Sequence, residues 1–292
     1  MGLYTMKEIL SESVQKKYAV GAFSGFDLLS VDAVLAAAEE ENKPVIFLIH
    51  PGFLVQARHD VPTQIRVMQD IIRASKAPAT MILDHGSNFK ECMECISLGF
   101  PSVMFDGSSL SNEENMAATK EIVKAAHACG VTVEAEIGHV GGHEGNADGD
   151  VADARLYTKP EEAELFARET GIDALAVAIG TVHGVFRGTP KLDIARLKEI
   201  RQAVGDLPLV MHGGSGLPEI EFRMAVEGGI NKINFITGMM LDVLKAVRDT
   251  DDARHAAGKR STWWDMLPVA QDTIKRIVKE QMDIFNTQPL YL

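Results

Sequence analysis

Short apolar, β-branched runs recur along the 292-residue chain, and each is followed by a longer segment with helical spacing. The runs are Ala19–Phe23, Pro44–Ile49, Ala79–Leu83, Ser102–Phe105, Val131–Ile137, Ala174–Ile179, Leu207–Met211 and Ile230–Phe235. None alternates strictly between apolar and polar, which suits strands buried on both faces of a parallel sheet. Between them, segments such as Ser30–Asn42, Asn112–Cys129, Pro160–Thr170, Ile194–Val204 and Glu219–Glu227 repeat apolar residues at helical spacing. Several end near Gly or Asn, as helices do. Eight such repeats without a Ser/Pro-rich linker predict a single (β/α)8 TIM barrel over residues 1–292. Residues 239–292 carry no strand signal beyond it and include the amphipathic stretch Leu267–Phe285. They are expected to form a helical C-terminal extension packed on the barrel or on a partner subunit. A doubly wound open sheet is the alternative, but no G-x-G-x-x-G follows the first run, against its dinucleotide-binding version.

The charge balance narrows the partners. With 29 Lys+Arg against 41 Asp+Glu the formal charge is −12, which argues against nucleic acid but leaves room for a small anion in a local site. The start, MGLYTMKEIL, does not read as a signal segment, because Lys7 and Glu8 interrupt it. Met6 stands where N-myristoylation needs Ser or Thr. No apolar run approaches the ~20 residues of a membrane span. Cys92 and Cys95 form a C-x-x-C in a helical-looking stretch with no second pair for zinc, and read as ordinary helix cysteines. The expectation is a cytoplasmic protein that engages neither nucleic acid nor a membrane.

Polar residues gather at the strand ends. MILDHG places Asp84 and His85 at the end of the third strand, and VMFDGS places Asp106 at the end of the fourth. VEAEIG puts Glu134 and Glu136 late in the fifth. His183 follows the sixth, His212 ends the seventh, and Asn234 and Thr237 close the eighth. Ionisable groups ending buried strands are costly unless paired or metal-bound. In a barrel those ends share one mouth, where catalytic residues converge. His85, His183 and His212 from three strands suit a catalytic zinc site, with one coordination position left for substrate. Each adjoins a glycine (Gly86, Gly184, Gly213) that permits close approach of backbone and substrate. Asp84, beside a ligand, is free to move a proton. His143 is the best spare histidine, whereas His50, His59, His127, His139 and His255 read as surface or local hydrogen-bonding groups.

Two loops complete the pattern. Gly138–Tyr157 is long and rich in Gly and Asp, as active-site lids often are. HGGSG, His212–Gly216, precedes a helix and offers backbone N–H groups with the Ser215 hydroxyl, and Thr237 follows the eighth strand. The loops after strands seven and eight commonly hold phosphate in barrels.

These motifs resemble those of class II, zinc-dependent ketose-bisphosphate aldolases, closest to the fructose/tagatose-bisphosphate aldolase family. The resemblance runs through FSGFDLLSVDAVLAAAEEENKPVI, LDHG, GFPSVMFDGS, VEAEIGHVGGHEG, AVAIGTVHGVFRGTPKLD, VMHGGSGLP and GINKINFIT, in family order. It implies Zn2+ on His85, His183 and His212, with Glu136 and Asp106 around a mobile or second metal position. It implies that Gly184, Gly213, Gly214, Ser215, Asn234 and Thr237 hold the dihydroxyacetone-phosphate part of a phosphorylated ketose, with Na+ or K+ sometimes nearby. Asp84 matches the family's catalytic acid/base, and Glu144 matches a lid carboxylate that exchanges a proton with the three-carbon unit. The implied reaction is reversible cleavage of a ketose 1-phosphate or 1,6-bisphosphate to dihydroxyacetone phosphate and an aldehyde through a metal-stabilised enediolate. A homodimer or homotetramer is implied as well.

Three departures fall where relatives handle the aldehyde half, the second phosphate or the subunit contact. Gly145 replaces an acidic residue after the lid glutamate, and Gly238 replaces Asp or Glu after Thr237. FNTQPLYL after Ile284 replaces F-G-S-x-G-K-A. Arg254, Lys259 and Arg260 either bind a distal anion, across a dimer, or form a solvated basic face. Three alternatives compete with the aldolase reading: a metal-dependent epimerase or isomerase, a non-catalytic sugar-phosphate-binding protein, and a Schiff-base aldolase using Lys232.

Overall fold

Burial on both faces is what the apolar runs dictate, and the structure, a computed structural model, describes it over residues 3–50, 60–142, 151–188 and 191–292. The strands are β1 (Val20–Ser24), β2 (Val45–Ile49), β3 (Ala79–Gly86), β4 (Ser102–Phe105), β5 (Thr132–Ile137), β6 (Ala174–Val177), β7 (Leu209–Met211) and β8 (Ile230–Asn234). All pairings between neighbours are parallel, and β8 pairs back onto β1, so the sheet closes into a barrel. Closure overturns the open-sheet alternative.

Successive strand residues face opposite ways. Val20, Ala22, Ile46, Leu48, Ile82, Met104, Ala174, Ala176 and Val210 form one cluster inside the barrel. Their neighbours in sequence, among them Phe23, Phe47, Leu83, Val103, Leu175 and Met211, pack outward in a larger cluster with the helices. Those helices are α3 (Leu28–Glu41), α4 (Val61–Ala74), α5 (Phe89–Ser97), α6 (Asn112–Ala128), α7 (Pro160–Thr170), α8 (Ile194–Val204) and α9 (Glu219–Gly228). Side chains at their starts satisfy the free N–H groups: Asp27, Asp60, Asn88, Ser111 and Asp193 each accept from a backbone N–H three residues on.

The two ends of the barrel differ. α1 (Met6–Ile9) and α2 (Ser13–Lys16) precede β1, and Met6, Ile9 and Leu10 join the interior cluster. The Met6 backbone N–H donates to Ser102 Oγ at 2.8 Å, and Ser102 is hydrogen-bonded to Thr132. The N-terminal end is thereby plugged with apolar groups, leaving the C-terminal mouth for polar ones.

After β8 the chain forms α10 (Thr237–Ala256) and α11 (Trp263–Ile284). α11 takes the remaining place on the barrel wall, against α3 and β1. Thr287 Oγ1 donates to the Ala19 carbonyl and Ala19 N–H to the Phe285 carbonyl, tying the C-terminal segment to the start of β1. α10 packs against α11 and buries only Thr237 and Met239.

Candidate metal centre at the barrel mouth

Period-two alternation carries the interior rows up to the mouth. On β5 it turns Glu134 and Glu136 inward, on β7 Val210 leads to His212, and on β8 Lys232 leads to Asn234. Alternation alone would put Asp84 and His85 on opposite faces. β3 avoids this with an irregularity: Leu83 pairs with Val103 but Gly86 with Phe105, so β3 carries one extra residue. A bulge of this kind re-aims side chains. His85 takes φ 49°, a left-handed conformation uncommon outside glycine. Gly86 is needed beside it, because a Cβ there would lie 2.6 Å from the Met104 carbonyl oxygen.

His183 arrives by a different route. The chain leaves β6, turns at Gly180 (φ 118°) and pairs Val182–His183 in parallel with Gly141–Gly142, at the start of the long loop after β5. Gly213, at φ 67°, packs against Val182: a Cβ would lie 2.6 Å from the Val182 carbonyl carbon. Gly213 therefore brings the His183 and His212 segments into backbone contact, and Gly86 brings the His85 segment against β4. The far end of the loop is fixed too, with His139 N–H donating to the Leu156 carbonyl and Thr158 Oγ1 to that of Ile137.

The three imidazoles face one another. His85 Nε2 is 3.0 Å from His212 Nδ1, and one nitrogen from each of His85, His183 and His212 lies within 4.8 Å of the others. Ring centroids are 4.7–5.8 Å apart and the rings are near perpendicular. Nitrogens converging edge-on from three walls fit a tetrahedral ion with one position open. A second group overlaps the first: His85, Asp106 and Glu136 also offer ligand atoms within 4.8 Å of one another.

Electrostatics couple these groups. His85 Nδ1 is hydrogen-bonded to Asp106 Oδ2 at 2.7 Å. Burial opposes charge on His85, but Asp84, Asp106 and Glu136 outweigh it and hold the imidazole up at about 10. Burial likewise opposes the Asp106 charge, and the bond from His85 with two donors at Ser108 holds it below the usual range. Glu136 is pushed up to about 8, first by burial and then by Asp106, with His85 opposing. Its Oε2 has no hydrogen-bond partner among the described residues, nor does the buried Asn234 Oδ1. Asp84, 3% exposed, lies 3.4 Å from Asn234 Nδ2, which also reaches the His212 ring.

On the β7–β8 side, Gly213 and Gly214 lead to Ser215, whose Oγ accepts the Gly238 N–H at 2.9 Å. That bond joins the HGGSG loop to the start of α10, where Thr237 is 1% exposed. Gly184 (φ 83°) follows His183. His85, His183, His212, Asp84, Asp106, Glu136, Asn234 and the Gly213–Ser215/Thr237 pair of loops thus gather at one mouth. Glu144 and His143 lie outside the described residues, as do His59 and Gly145.

Other sequence candidates go elsewhere. His127 is hydrogen-bonded to Asp173 and His139 to Ser108. Cys92 and Cys95 are buried in α5, where burial and Glu91 push both thiols to about 12. Arg254 is engaged by Ser261 and Asp265 in the α10–α11 turn. Lys232 is fully buried and 2.9 Å from Glu134, beneath the histidines, so its amine does not reach the mouth and the Schiff-base alternative falls. The Glu134–Lys232 pair is the feature that sequence reasoning did not assemble. Its only signal is two charged residues on inward positions of different strands.

Comparison with known proteins agrees with this geometry. The family model described as fructose-bisphosphate aldolase class-II matches residues 4–289, and the chain belongs to that family. It is 42% identical over 253 residues to a fructose-bisphosphate aldolase of Geobacillus stearothermophilus, covering 85% of this chain and 86% of that protein. It is 39% identical over 290 residues to one from Staphylococcus aureus, covering 98% of each. Among solved structures, the YdjI aldolase of Escherichia coli K12 superposes with a TM-score of 0.84 at 29% identity, covering 98% of both chains. The protein is a class II aldolase, a carbon–carbon lyase; the epimerase and binding-protein alternatives do not fit these relatives. Membership implies a metal, and the histidine cluster has the donors for one.

Proposed function

We propose that the protein is a zinc-dependent aldolase that reversibly cleaves a ketose 1-phosphate or 1,6-bisphosphate to dihydroxyacetone phosphate and an aldehyde. The observation that carries it is the convergence of His85, His183 and His212 nitrogens within 4.8 Å, beside buried Asp84. His85, His183 and His212 would hold Zn2+, and Asp106 and Glu136 a second or transient metal position. When bound, the metal supplies Lewis-acid stabilisation for the charge that develops beside the substrate carbonyl.

The chain's own groups do the rest. Asp84 takes the C4 hydroxyl proton as the C3–C4 bond breaks, and Glu144 returns a proton to C3 once the aldehyde has left. Gly184, Gly213, Gly214, Ser215, Asn234 and Thr237 bind the phosphorylated three-carbon half through backbone N–H groups and hydroxyls, with Na+ or K+ assisting the same loops. Burial of Asp84 keeps bulk water from its proton transfer.

Self-association as a homodimer or homotetramer is supported by apolar groups on the α10–α11 hairpin: Trp263 and Trp264 are 68% and 80% exposed, with Met240 and Leu244 also open. No helix among the described residues is long and apolar enough to cross a membrane. Three free cysteines suit a reducing cytoplasm.

The test is purified protein, with and without a chelator, in a coupled dihydroxyacetone-phosphate assay over a panel of ketose phosphates. Loss of activity on metal removal and its return with Zn2+ is expected. Turnover that survives complete metal removal refutes the mechanism, and absence of a three-carbon product refutes the reaction.

A further inference from the structure

Beneath the three histidines lies an ion pair that the proposed proton transfers leave unused. Glu134 on β5 and Lys232 on β8 point into the barrel, and both side chains have zero exposure. Lys232 Nζ is 2.9 Å from Glu134 Oε2 and 3.1 Å from Oε1. Oε1 is also 3.0 Å from His212 Nε2. The other ring nitrogen, His212 Nδ1, faces His85 Nε2 on the side where the candidate ligand atoms converge.

Stability explains this pair poorly. Two charges withdrawn from water recover little net free energy, and apolar side chains of similar volume usually serve as well. The surrounding interior is in fact apolar, with Val20, Ile82, Met104 and Val210 in its cluster. A neutral imidazole has one N–H and one lone pair, so whichever group engages one nitrogen decides what the other can do.

We propose that Glu134 and Lys232 are positioning residues for His212. Glu134 accepts the Nε2 proton, which fixes the tautomer whose Nδ1 lone pair is turned toward the metal position. Lys232 holds the carboxylate in register from across the barrel and balances its charge. The assignment rests on the reading of His212 as a metal ligand. Partners of this kind around metal-bound histidines typically contribute roughly 10- to 100-fold in metal affinity.

The test compares two double variants of the full chain, Glu134→Leu/Lys232→Met and Glu134→Gln/Lys232→Met. Each removes both charges, so neither leaves one buried alone. Gln keeps an oxygen that accepts from Nε2, and Leu does not. Zn2+ affinity is read by chelator competition and geometry by the Co2+ absorption spectrum, neither of which needs substrate. The leucine variant should bind Zn2+ roughly 10- to 100-fold more weakly with altered Co2+ bands, and the glutamine variant should recover most of that loss. Equal affinity in the leucine variant and the parent overturns the inference, as does an equal loss in both doubles. Should the leucine variant not fold, the parent decides: the 15N spectrum of histidine-labelled, Zn2+-loaded protein must place the His212 proton on Nε2, and a proton on Nδ1 overturns the assignment. A parent that takes up no Zn2+ fails the metal reading first; a parent that binds it while the leucine variant matches fails this inference alone.

Discussion

Replacing Gly213 by alanine tests whether backbone contact between ligand-bearing segments sets the geometry of the mouth. The added Cβ would lie 2.6 Å from the Val182 carbonyl carbon and closer still to its oxygen. Ordinary contact begins at 3.4 Å, so one segment must retreat by more than about 0.8 Å. Neither is free to do so without moving a histidine, since Val182 precedes His183 and Gly213 follows His212. The left-handed φ of 67° adds about 1–2 kcal/mol for any L side chain. Overpacking adds about 1–3 kcal/mol more. At about 2.1 cal/mol/K per residue, the chain's unfolding entropy is near 0.6 kcal/mol/K, so Tm should fall by about 3–8 °C. Misplacing a reacting group by about 1 Å costs on the order of 10²-fold, and kcat/KM should drop by that much. Gly171→Ala is the control: it has nearly the same φ, 69°, but nothing within 4 Å of a new Cβ. It should lose only the conformational part of the stability and none of the activity. Calorimetry and the coupled assay on both variants decide the matter. Equal Tm losses with Gly213→Ala fully active would refute the contact argument.

Single groups elsewhere carry their own consequences. Asp84→Ala should retain Zn2+, since the three histidines remain, while kcat falls by about 10²–10⁴-fold; unchanged turnover would remove Asp84 from proton transfer. Ser215→Ala deprives the Gly238 N–H of its acceptor, and KM for a phosphorylated ketose should rise about 2- to 10-fold, the equivalent of one hydrogen bond, with kcat nearly kept. A KM that does not move would detach that loop from the phosphate. Burial, with Glu12 adding, raises the Tyr18 phenol to about 12 in the folded protein. Between pH 10 and 12 the folded state therefore keeps a proton that the unfolded chain loses, and stability falls as pH rises, by up to about 3 kcal/mol. Tyr18→Phe should flatten that alkaline limb in urea titrations and be near neutral at pH 7, because the hydroxyl has no hydrogen-bond partner among the described residues. Parallel limbs for the two proteins would count against it.

The strands are legible in the sequence because a barrel wall buried on both faces is mostly apolar away from its ends, with Glu134 and Lys232 as exceptions. Their bounds are less so. Leu207 precedes β7 and buried Ile179 lies beyond β6, since an apolar residue can pack against the core without joining the strand ladder. His183 is readable as a histidine after a strand, but not its two-residue pairing with Gly141–Gly142, which long-range packing creates against two glycines with no strand preference. The bulge at Asp84 and the left-handed His85 leave no mark in the letters Asp-His-Gly. Alternation can place Glu134 and Lys232 inward one at a time. Only closure, which sets β5 and β8 across the interior from each other, makes them partners.

The same closure sorts the mouth by charge. Asp84, Asp106 and Glu136 come from β3, the residue after β4, and β5, whereas Gly213, Gly214, Ser215, Asn234 and Thr237 come from β7, β8 and the segments directly after those strands. The histidines belong to both halves, His85 on the acidic side and His183 and His212 toward the glycines. On the proposed function, the acids of the first half disfavour a phosphate and the N–H and hydroxyl donors of the second accept it, which orients a phosphorylated ketose across the mouth. The proposed function puts the phosphate over the β7–β8 loops and the bond to be broken at the histidines, beside Asp84. The net charge of −12 does not oppose this, because acids on one wall orient an anion bound at the other.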